Sequence, residues 1–393
     1  MAPRRLSRKR NSPEQKHALL VRVLRQKRHQ KRKTHERAVA TNWNSLEVHF
    51  RAAGLSLDAV TVRSGGEGCG LGAFARRDLC AGEVVFRVPQ TAMLTEAAAV
   101  EDECVAAAAT LLRAFGEEGI SELLVCLRLC RARVQTKDRF HAYATSLPRN
   151  APGVGSWPEI YDVLLANSSL GPLIRAADAE LDRWEGLIDR VADATFLPYR
   201  REVFCRSNLQ WARGMVQSRH FPGTFGGSED ERSPCMVPLL DILNHQGDAE
   251  VNVQIHGGCL EFRCDTPVQA GEQIWNNYGA KGNTELMMCY GFAVEGNEED
   301  SVELSLAQAS GEAPSELRLS IWGLPEELAN ETTRWKRELL EALEKRKSAA
   351  KGCLASLPIT TYASSASKFR IESIEAFLKG QLEVLEICCD ELQ

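Results

Sequence analysis

Alternating apolar and polar positions predict short β-strands in two separate parts of the chain. Near the start, the β-branched runs Ala59–Arg63 and Val84–Val88 lie on either side of a glycine-rich stretch, Gly65–Gly72, which we interpret as a turn. In the second part, apolar residues alternate on both sides of the turn sequence 256–258, at Val251, Val253 and Ile255 and then at Leu260, Phe262 and Cys264. This second pattern predicts a β-hairpin.

Apolar residues three and four positions apart predict helices between the two β-rich parts, at about 98–215, and again from about 300 onward. Examples are the stripes Leu181, Trp184, Ile188 and Val191 and Ile371, Ile374, Leu378, Leu382 and Leu385. Gly380 lies inside the last stripe, although glycine within a helix costs about 1 kcal/mol relative to alanine. Helices inserted between two β-rich parts and followed by a helical tail predict an α+β fold, with domains at 45–295 and 300–393.

The charges divide the 393 residues into a basic arm and an acidic body. The net charge is −5, but residues 1–37 contain 14 Lys and Arg against 2 acidic residues, which leaves 34 basic and 51 acidic residues in the remainder. We interpret residues 1–40 as a basic, disordered arm. A solvated arm without a specific role is one interpretation, and contact with nucleic acid, an acidic membrane surface or an import receptor is the other.

Composition and motifs exclude several classes of protein. The 13 cysteines form no CxxC pair and no zinc-ligand spacing, so no metal site is predicted. No apolar stretch is long enough to span a membrane and the charged N-terminus is unlike a secretory signal, so we expect an intracellular protein, nuclear or cytoplasmic, with organelle import left open. Gly70–Ala75 matches the dinucleotide pattern GxGxxA, but a strand-like run follows where a helix should begin, which favours a glycine-rich turn.

Three polar clusters remain as candidates for chemistry. Asp241, Asn244 and His245 lie at the end of an apolar run, where an Asn-His pair is costly to bury without partners. The runs Tyr278-Gly279 and Tyr290-Gly291-Phe292 hold two of the six tyrosines, each followed by a glycine that lets the chain approach a ligand closely. A satisfied core histidine and core aromatics at turns are the alternatives.

In their order, these clusters resemble the SET-domain methyltransferases, and more closely the class typified by the Rubisco large-subunit methyltransferase. The motifs of that class correspond to Glu67-Gly68-Cys69-Gly70, Asp241 to His245, Tyr278 to Asn283 and Tyr290 to Phe292, and the run Phe140–Tyr143 is also similar. The resemblance covers roughly residues 45–393. It implies a SET fold of short sheets with a long helical insert, a mostly helical C-terminal substrate-binding domain, and S-adenosyl-L-methionine as the cofactor.

The resemblance also implies roles for individual residues. Tyr278 corresponds to the catalytic tyrosine of the family. Cofactor contacts are implied for Glu67, Gly68, Cys69, Arg219, Asp241, Asn244, His245, Tyr290, Gly291 and Phe292.

The resemblance further implies that the target side chain lies beside Phe221 and Leu240. Both are apolar, which favours the aliphatic stem of a lysine. The class resembled also implies a non-histone protein as the substrate. Methylation of a protein histidine is an alternative, and a catalytically idle scaffold that binds a protein is another. The intact Tyr278, Asn244 and His245 argue against the idle scaffold. The oligomeric state stays open.

Overall fold

The computed structural model describes residues 46–66, 70–194, 200–306, 315–324, 333–357 and 365–392. The predicted basic arm at 1–40 lies outside the described residues. The predicted cofactor contacts Glu67, Gly68 and Cys69 lie outside them as well. None of the described helices is long and apolar enough to cross a lipid bilayer.

The strands are short, and two of them span a segment that the sequence pattern left as a turn. In chain order they are β1 (Val60–Gly66), β2 (Gly70–Ala75), β3 (Val84–Pro89), β4 (His220–Phe221), β5 (Cys235–Met236), β6 (Asn244–His245), β7 (Val251–His256), β8 (Cys259–Cys264), β9 (Gln273–Asn276), β10 (Ser301–Leu306) and β11 (Ser315–Ser320). The interpretation of Gly65–Gly72 as a turn is wrong for most of its length. Its glycines end β1 and begin β2, because these two strands pair antiparallel up to Gly66 and Gly70.

Within the described residues, the strands form four separate sheets. The largest has the order β1-β2-β9-β6, in which β6 and β9 are parallel and the other neighbours are antiparallel. A second sheet, β3-β8-β7, contains the predicted hairpin, which is confirmed by the pairing of Val251 with Cys264 and of His256 with Cys259. The remaining pairs are β4-β5 and β10-β11. The predicted α+β fold of short sheets is therefore confirmed.

Helices fill the interval between β3 and β4 and most of the C-terminal part. They are α1 (46–52), α2 (Glu96–Ala99), α3 (Glu103–Ala114), α4 (Ser121–Val134), α5 (His141–Ser146), α6 (Glu159–Leu165), α7 (Leu170–Ala194), α8 (Arg200–Val203), α9 (Arg206–Arg219), α10 (Asn283–Glu285), α11 (Thr333–Ala355) and α12 (Ser365–Leu392). A π-helical turn, Leu286–Tyr290, continues α10. The helical insert predicted at about 98–215 corresponds to α2–α9.

One hydrophobic core joins both β-rich parts to the helical insert. It includes Phe86 and Phe262, whose rings stack 5.0 Å apart across β3 and β8, and Trp184 of α7. A separate cluster packs α11 and α12 against β10 and β11, through side chains such as Leu304 and Leu385. The C-terminal part therefore contains a strand pair as well as the predicted helices.

Close packing explains the glycine inside the last helix. A Cβ at Gly380 would collide with the carboxyl group of Asp300. That buried carboxyl accepts hydrogen bonds from the backbone N–H and the side-chain amide of Asn283, both at 2.6 Å. The next residue, Gln381, donates to the Ser301 carbonyl at 2.9 Å. These contacts attach α12 to the chain segment that carries the second tyrosine motif.

Candidate functional site

Tyr278 lies just beyond the end of β9, next to the Asn244-His245 pair that forms β6. The parallel pairing of these strands sets Asn244 opposite Trp275. The backbone N–H of Tyr278 donates to Nδ1 of His245 at 3.2 Å, and the phenol donates to the Leu243 carbonyl at 2.9 Å. Two motifs that are far apart in the sequence therefore form one site.

Four half-buried rings, those of His245, Tyr278, Tyr290 and Phe292, form an aromatic cluster. Tyr278 stacks on His245 with ring centroids 5.0 Å apart and on Tyr290 with centroids 4.6 Å apart. Phe292 lies at the edge of the cluster, 6.1 Å from His245 and 6.2 Å from Tyr290. Burial raises the pKa of Tyr290, so its phenol stays neutral near pH 7. The cluster provides an uncharged, largely apolar wall.

His245 acts as a hydrogen-bond acceptor in its neutral form. Burial lowers its pKa below the usual 6.5, and the nearby Lys281 ammonium lowers it further. A neutral imidazole can accept at Nδ1, as the contact with the Tyr278 N–H requires. The electrostatics of the site therefore support the hydrogen bond that fixes the backbone of Tyr278.

Arg219, Asp241 and Tyr143 form a polar group beside this cluster. Arg219 is the last residue of α9, and its Nη1 donates to the Asp241 carbonyl oxygen at 2.6 Å and lies 3.6 Å from Oδ2. Tyr143 of α5 donates its hydroxyl to the same Oδ2 at 2.7 Å. Burial raises the pKa of Asp241, an effect that Arg219 and Tyr143 oppose. Tyr143 was not predicted as a site residue. The sequence feature that could have identified it is the run Phe140–Tyr143, which resembles the corresponding run of the family.

Four buried polar atoms at this site have no hydrogen-bond partner within the protein. They are Nε of Arg219, Oδ1 of Asp241, Nδ2 of Asn244 and Nε2 of Gln273, half of the eight such side-chain atoms among the described residues. Because unsatisfied buried polar groups are costly, their concentration indicates a ligand that supplies the missing partners. Three donors and one acceptor suit a ligand end that bears both a carboxylate and an ammonium group, as S-adenosyl-L-methionine does.

Gly72 in β2 leaves room for the side-chain amides of Asn244 and Gln273. A Cβ at this position would lie 2.9 Å from Nδ2 of Asn244 and 3.2 Å from Nε2 of Gln273. Both nitrogens therefore converge over the same glycine, which accounts for a residue type that otherwise weakens a strand. Gln273 was not predicted, because a single glutamine in a strand carries no signal in the sequence.

The two residues expected beside the target side chain occupy different environments. Phe221, in β4, is half-buried and stacks on Phe225 with ring centroids 5.9 Å apart. Leu240 is completely buried in the main core, at the start of a short 3₁₀ turn that contains Asp241. This conformation exposes no surface of Leu240 to a substrate. Substrate contacts for both residues stay predictions.

Gly291 has a packing role that the sequence did not indicate. Its φ of 73° lies in the left-handed region that favours glycine, and a Cβ there would collide with the Pro152 carbonyl. Its cofactor contact stays a prediction. Among the described residues, no group of three or more His, Cys, Asp or Glu side chains is placed to hold a metal ion.

Comparison with known proteins gives a family and several relatives. The family model described as the SET domain matches residues 70–279. The chain is 26% identical to the mouse protein named N-lysine methyltransferase SETD6 over 266 residues, which cover 65% of this chain and 55% of that protein. It is 34% identical over 113 residues to the ribosomal lysine N-methyltransferase set10 of Schizosaccharomyces pombe, covering 28% of this chain and 21% of that protein. The match to the mouse protein spans about half of its length.

Solved structures of a related enzyme share the fold. The SET domain of LSMT bound to lysine and AdoHcy superposes with a TM-score of 0.67 at 18% identity, covering 90% of this chain and 91% of that one. Rubisco LSMT bound to sinefungin and monomethyllysine gives a TM-score of 0.69 at 17% identity, with coverage of 89% and 91%. At these identities the similarity shows a common fold.

Proposed function

The chain belongs to the SET-domain family, and from this membership we propose that it is an S-adenosyl-L-methionine-dependent methyltransferase that methylates lysine side chains of proteins. The observation that carries the proposal is the junction of Tyr278 with Asn244 and His245, beside buried polar atoms that lack partners. The names of the relatives agree with it, since the mouse and fission-yeast proteins are both called lysine methyltransferases.

The residues around Asn244 fit the polar end of the cofactor. Arg219, Asn244 and Gln273 offer donors for a carboxylate, and Oδ1 of Asp241 offers an acceptor for an ammonium group. Bound S-adenosyl-L-methionine supplies a methyl group made electrophilic by its sulfonium sulfur. The half-buried aromatic rings would limit the access of water to the region where the nucleophile meets this group, which would strengthen electrostatic interactions there.

Tyr278 is the residue we assign to the chemistry. Its phenol is held by the hydrogen bond to the Leu243 carbonyl, and its ring is held between His245 and Tyr290. A hydroxyl oxygen fixed in this way can accept an N–H of the incoming amine and orient its lone pair for an in-line displacement. The lysine must be neutral to attack, and a poorly hydrated site lowers the pKa of a lysine.

We further propose a non-histone protein as the substrate, bound with the help of the C-terminal part, 300–393. Phe221 supports lysine as the target, because an apolar side chain suits an aliphatic stem better than an imidazole. An intracellular location, nuclear or cytoplasmic, and contact of the basic arm with nucleic acid or an import receptor stay predictions.

A transfer assay tests the proposal. Purified protein is incubated with labelled S-adenosyl-L-methionine and a methylation-depleted cell extract, and the labelled products are hydrolysed to amino acids. We expect methyllysine that disappears with Tyr278→Phe and persists with Tyr161→Phe, a matched loss of a hydroxyl in a separate hydrophobic cluster. Methylhistidine in place of methyllysine would identify histidine as the target side chain. Cofactor binding without any labelled product from several extracts would favour a protein-binding scaffold.

A further inference from the structure

The segment that carries Tyr290 is in direct backbone contact with a loop of the helical insert. This loop, residues 151–157, lies within the segment that connects α5 to α6. A Cβ at Gly153 would collide with the Met288 carbonyl, and a Cβ at Gly291 would collide with the Pro152 carbonyl. The loop therefore touches the chain on both sides of Tyr290, at a separation that glycine alone permits.

The 151–157 loop has contacts within itself, with α9 of the insert and with α12. Trp157 donates its indole N–H to the Pro152 carbonyl at 2.7 Å, which closes the loop on itself. Gln210 of α9 donates to the Gly155 carbonyl at 2.7 Å. The guanidinium of Arg370, in α12, lies 5.3 Å from the centre of the Trp157 ring. The loop thus connects α9 and the C-terminal helix to the segment around Tyr290.

Tyr290 lies at the end of a backbone irregularity that adjoins these contacts. It is the last residue of the π-helical turn Leu286–Tyr290, which closes with a hydrogen bond of 2.9 Å from the Gly291 N–H to the Leu286 carbonyl. Turns of this kind are uncommon and recur at functional sites. The ring of Tyr290 stacks on Tyr278 at 4.6 Å, so a shift of the Met288–Gly291 backbone would move the ring that borders the catalytic phenol.

We propose that the 151–157 loop is a positioning element of the site, in which Gly153 and Trp157 hold the Met288–Gly291 backbone so that the Tyr290 ring stays stacked on Tyr278. The inference rests on the proposed function in one respect, the assignment of Tyr278 as the catalytic residue. Gly153 and Trp157 act through the 288–291 backbone, so they are positioning residues.

The test compares two glycines of the same loop. Gly153→Ala adds a methyl group against the Met288 carbonyl, whereas Gly155→Ala adds the same group where no atom lies within 4 Å. Trp157→Phe is a milder second variant, because it keeps a ring and removes the indole N–H. The direct measurement is the NMR spectrum of protein with ¹³C-labelled tyrosine rings. With six tyrosines, Tyr278 and Tyr290 can be assigned by their Phe variants.

We expect the signals of Tyr278 and Tyr290 to shift in Gly153→Ala and Trp157→Phe and to stay in place in Gly155→Ala. We also expect kcat per folded molecule to fall about tenfold or more in Gly153→Ala with a smaller change in KM, since displacement of reacting groups by about 1 Å costs up to about 100-fold in rate. A merely structural role would lower the melting temperature and leave the tyrosine signals and kcat per folded molecule unchanged.

The two proposals fail in different ways. Unshifted tyrosine signals in a folded Gly153→Ala protein would overturn the positioning role and leave the proposed function intact. If Gly153→Ala does not fold, unshifted signals in Trp157→Phe overturn it instead. Shifted signals together with a wild type that transfers no methyl group would support the positioning role and contradict the proposed function.

Discussion

The hydroxyl of Tyr143 donates a hydrogen bond of 2.7 Å to the buried carboxylate of Asp241. Tyr143 belongs to α5 of the helical insert, whereas Asp241 lies between the strands β5 and β6. The backbone carbonyl of Asp241 also accepts a hydrogen bond from Arg219. Asp241 and Arg219 each have one buried side-chain atom without a hydrogen-bond partner in the protein. The helical insert therefore reaches the polar end of the site and sets the orientation of the groups that would bind a ligand there.

Tyr143→Phe should weaken both the fold and the proposed cofactor site. The change leaves Oδ2 of a buried carboxylate without its hydroxyl donor, which costs about 1–3 kcal/mol of unfolding free energy. We expect weaker binding of S-adenosylhomocysteine as well, because Asp241 loses part of its fixed orientation. Chemical denaturation and calorimetry measure the two effects, with Tyr161→Phe as the control. Unfolding free energy and affinity equal to those of the control would contradict the prediction.

Gly72→Ala should reduce cofactor affinity while the fold persists. The added methyl group would lie 2.9 Å from Nδ2 of Asn244 and force that amide or its neighbour Gln273 to move. We expect a loss of about tenfold in affinity, or about 1.4 kcal/mol, measured by calorimetry. Gly247→Ala is the control, since a Cβ there would meet no atom within 4 Å. If Gly72→Ala leaves the cofactor affinity unchanged, Asn244 and Gln273 do not contact the cofactor.

Two helical glycines should respond in opposite ways to substitution by alanine. Helix propensity alone predicts that both changes stabilise the protein by about 1 kcal/mol. At Gly352 in α11 a Cβ would meet no atom within 4 Å, so we expect that gain. At Gly380 a Cβ would collide with the Asp300 carboxyl, so we expect a loss of about 1–3 kcal/mol. Denaturant unfolding of the two variants measures both, and a gain at Gly380 would refute the close packing of α12.

Asp300 should make the stability depend on pH. Burial raises its pKa from 3.8 to about 6, although the hydrogen bonds from Asn283 oppose the shift. Because the pKa is higher in the folded state, the contribution of Asp300 to stability is present at low pH and is lost as the pH rises through about 6. The unfolding free energy of the wild type minus that of Asp300→Asn should therefore decrease by about 1 kcal/mol from pH 5 to pH 7.5. A difference that is constant over this range, or that rises, would contradict the assigned pKa.

The family and the main residues of the candidate site could be found in the sequence because they lie in short, ordered motifs. The resemblance to the SET-domain family rested on four such motifs and is confirmed by the family match over residues 70–279. Asn244, His245, Tyr278 and the Tyr290–Phe292 run are brought together, as that resemblance implied. Their convergence depends on the parallel pairing of β6 with β9, which no local pattern indicates because both strands are too short.

Other residues of the site could not be predicted, since their roles arise from contacts between distant parts of the chain. Tyr143 is recognised as a site residue by its hydrogen bond to Asp241, and Gln273 by its buried, unpartnered amide nitrogen beside Asn244. The complete burial of Leu240 could not be predicted either, because the direction in which a side chain faces depends on the packing around it; its substrate contact stays a prediction.

The sequence by itself determined the α+β class, the hairpin at 251–264 and the motifs that carry the proposed chemistry, because alternation, helical spacing and turn residues are local properties. The tertiary structure alone decided why several glycines occur where they do. Gly72, Gly153, Gly291 and Gly380 each adjoin a group that a Cβ would strike, and that group comes from a distant part of the chain. Close packing between distant segments leaves no periodic signal, so it can be recognised only after the chain has folded.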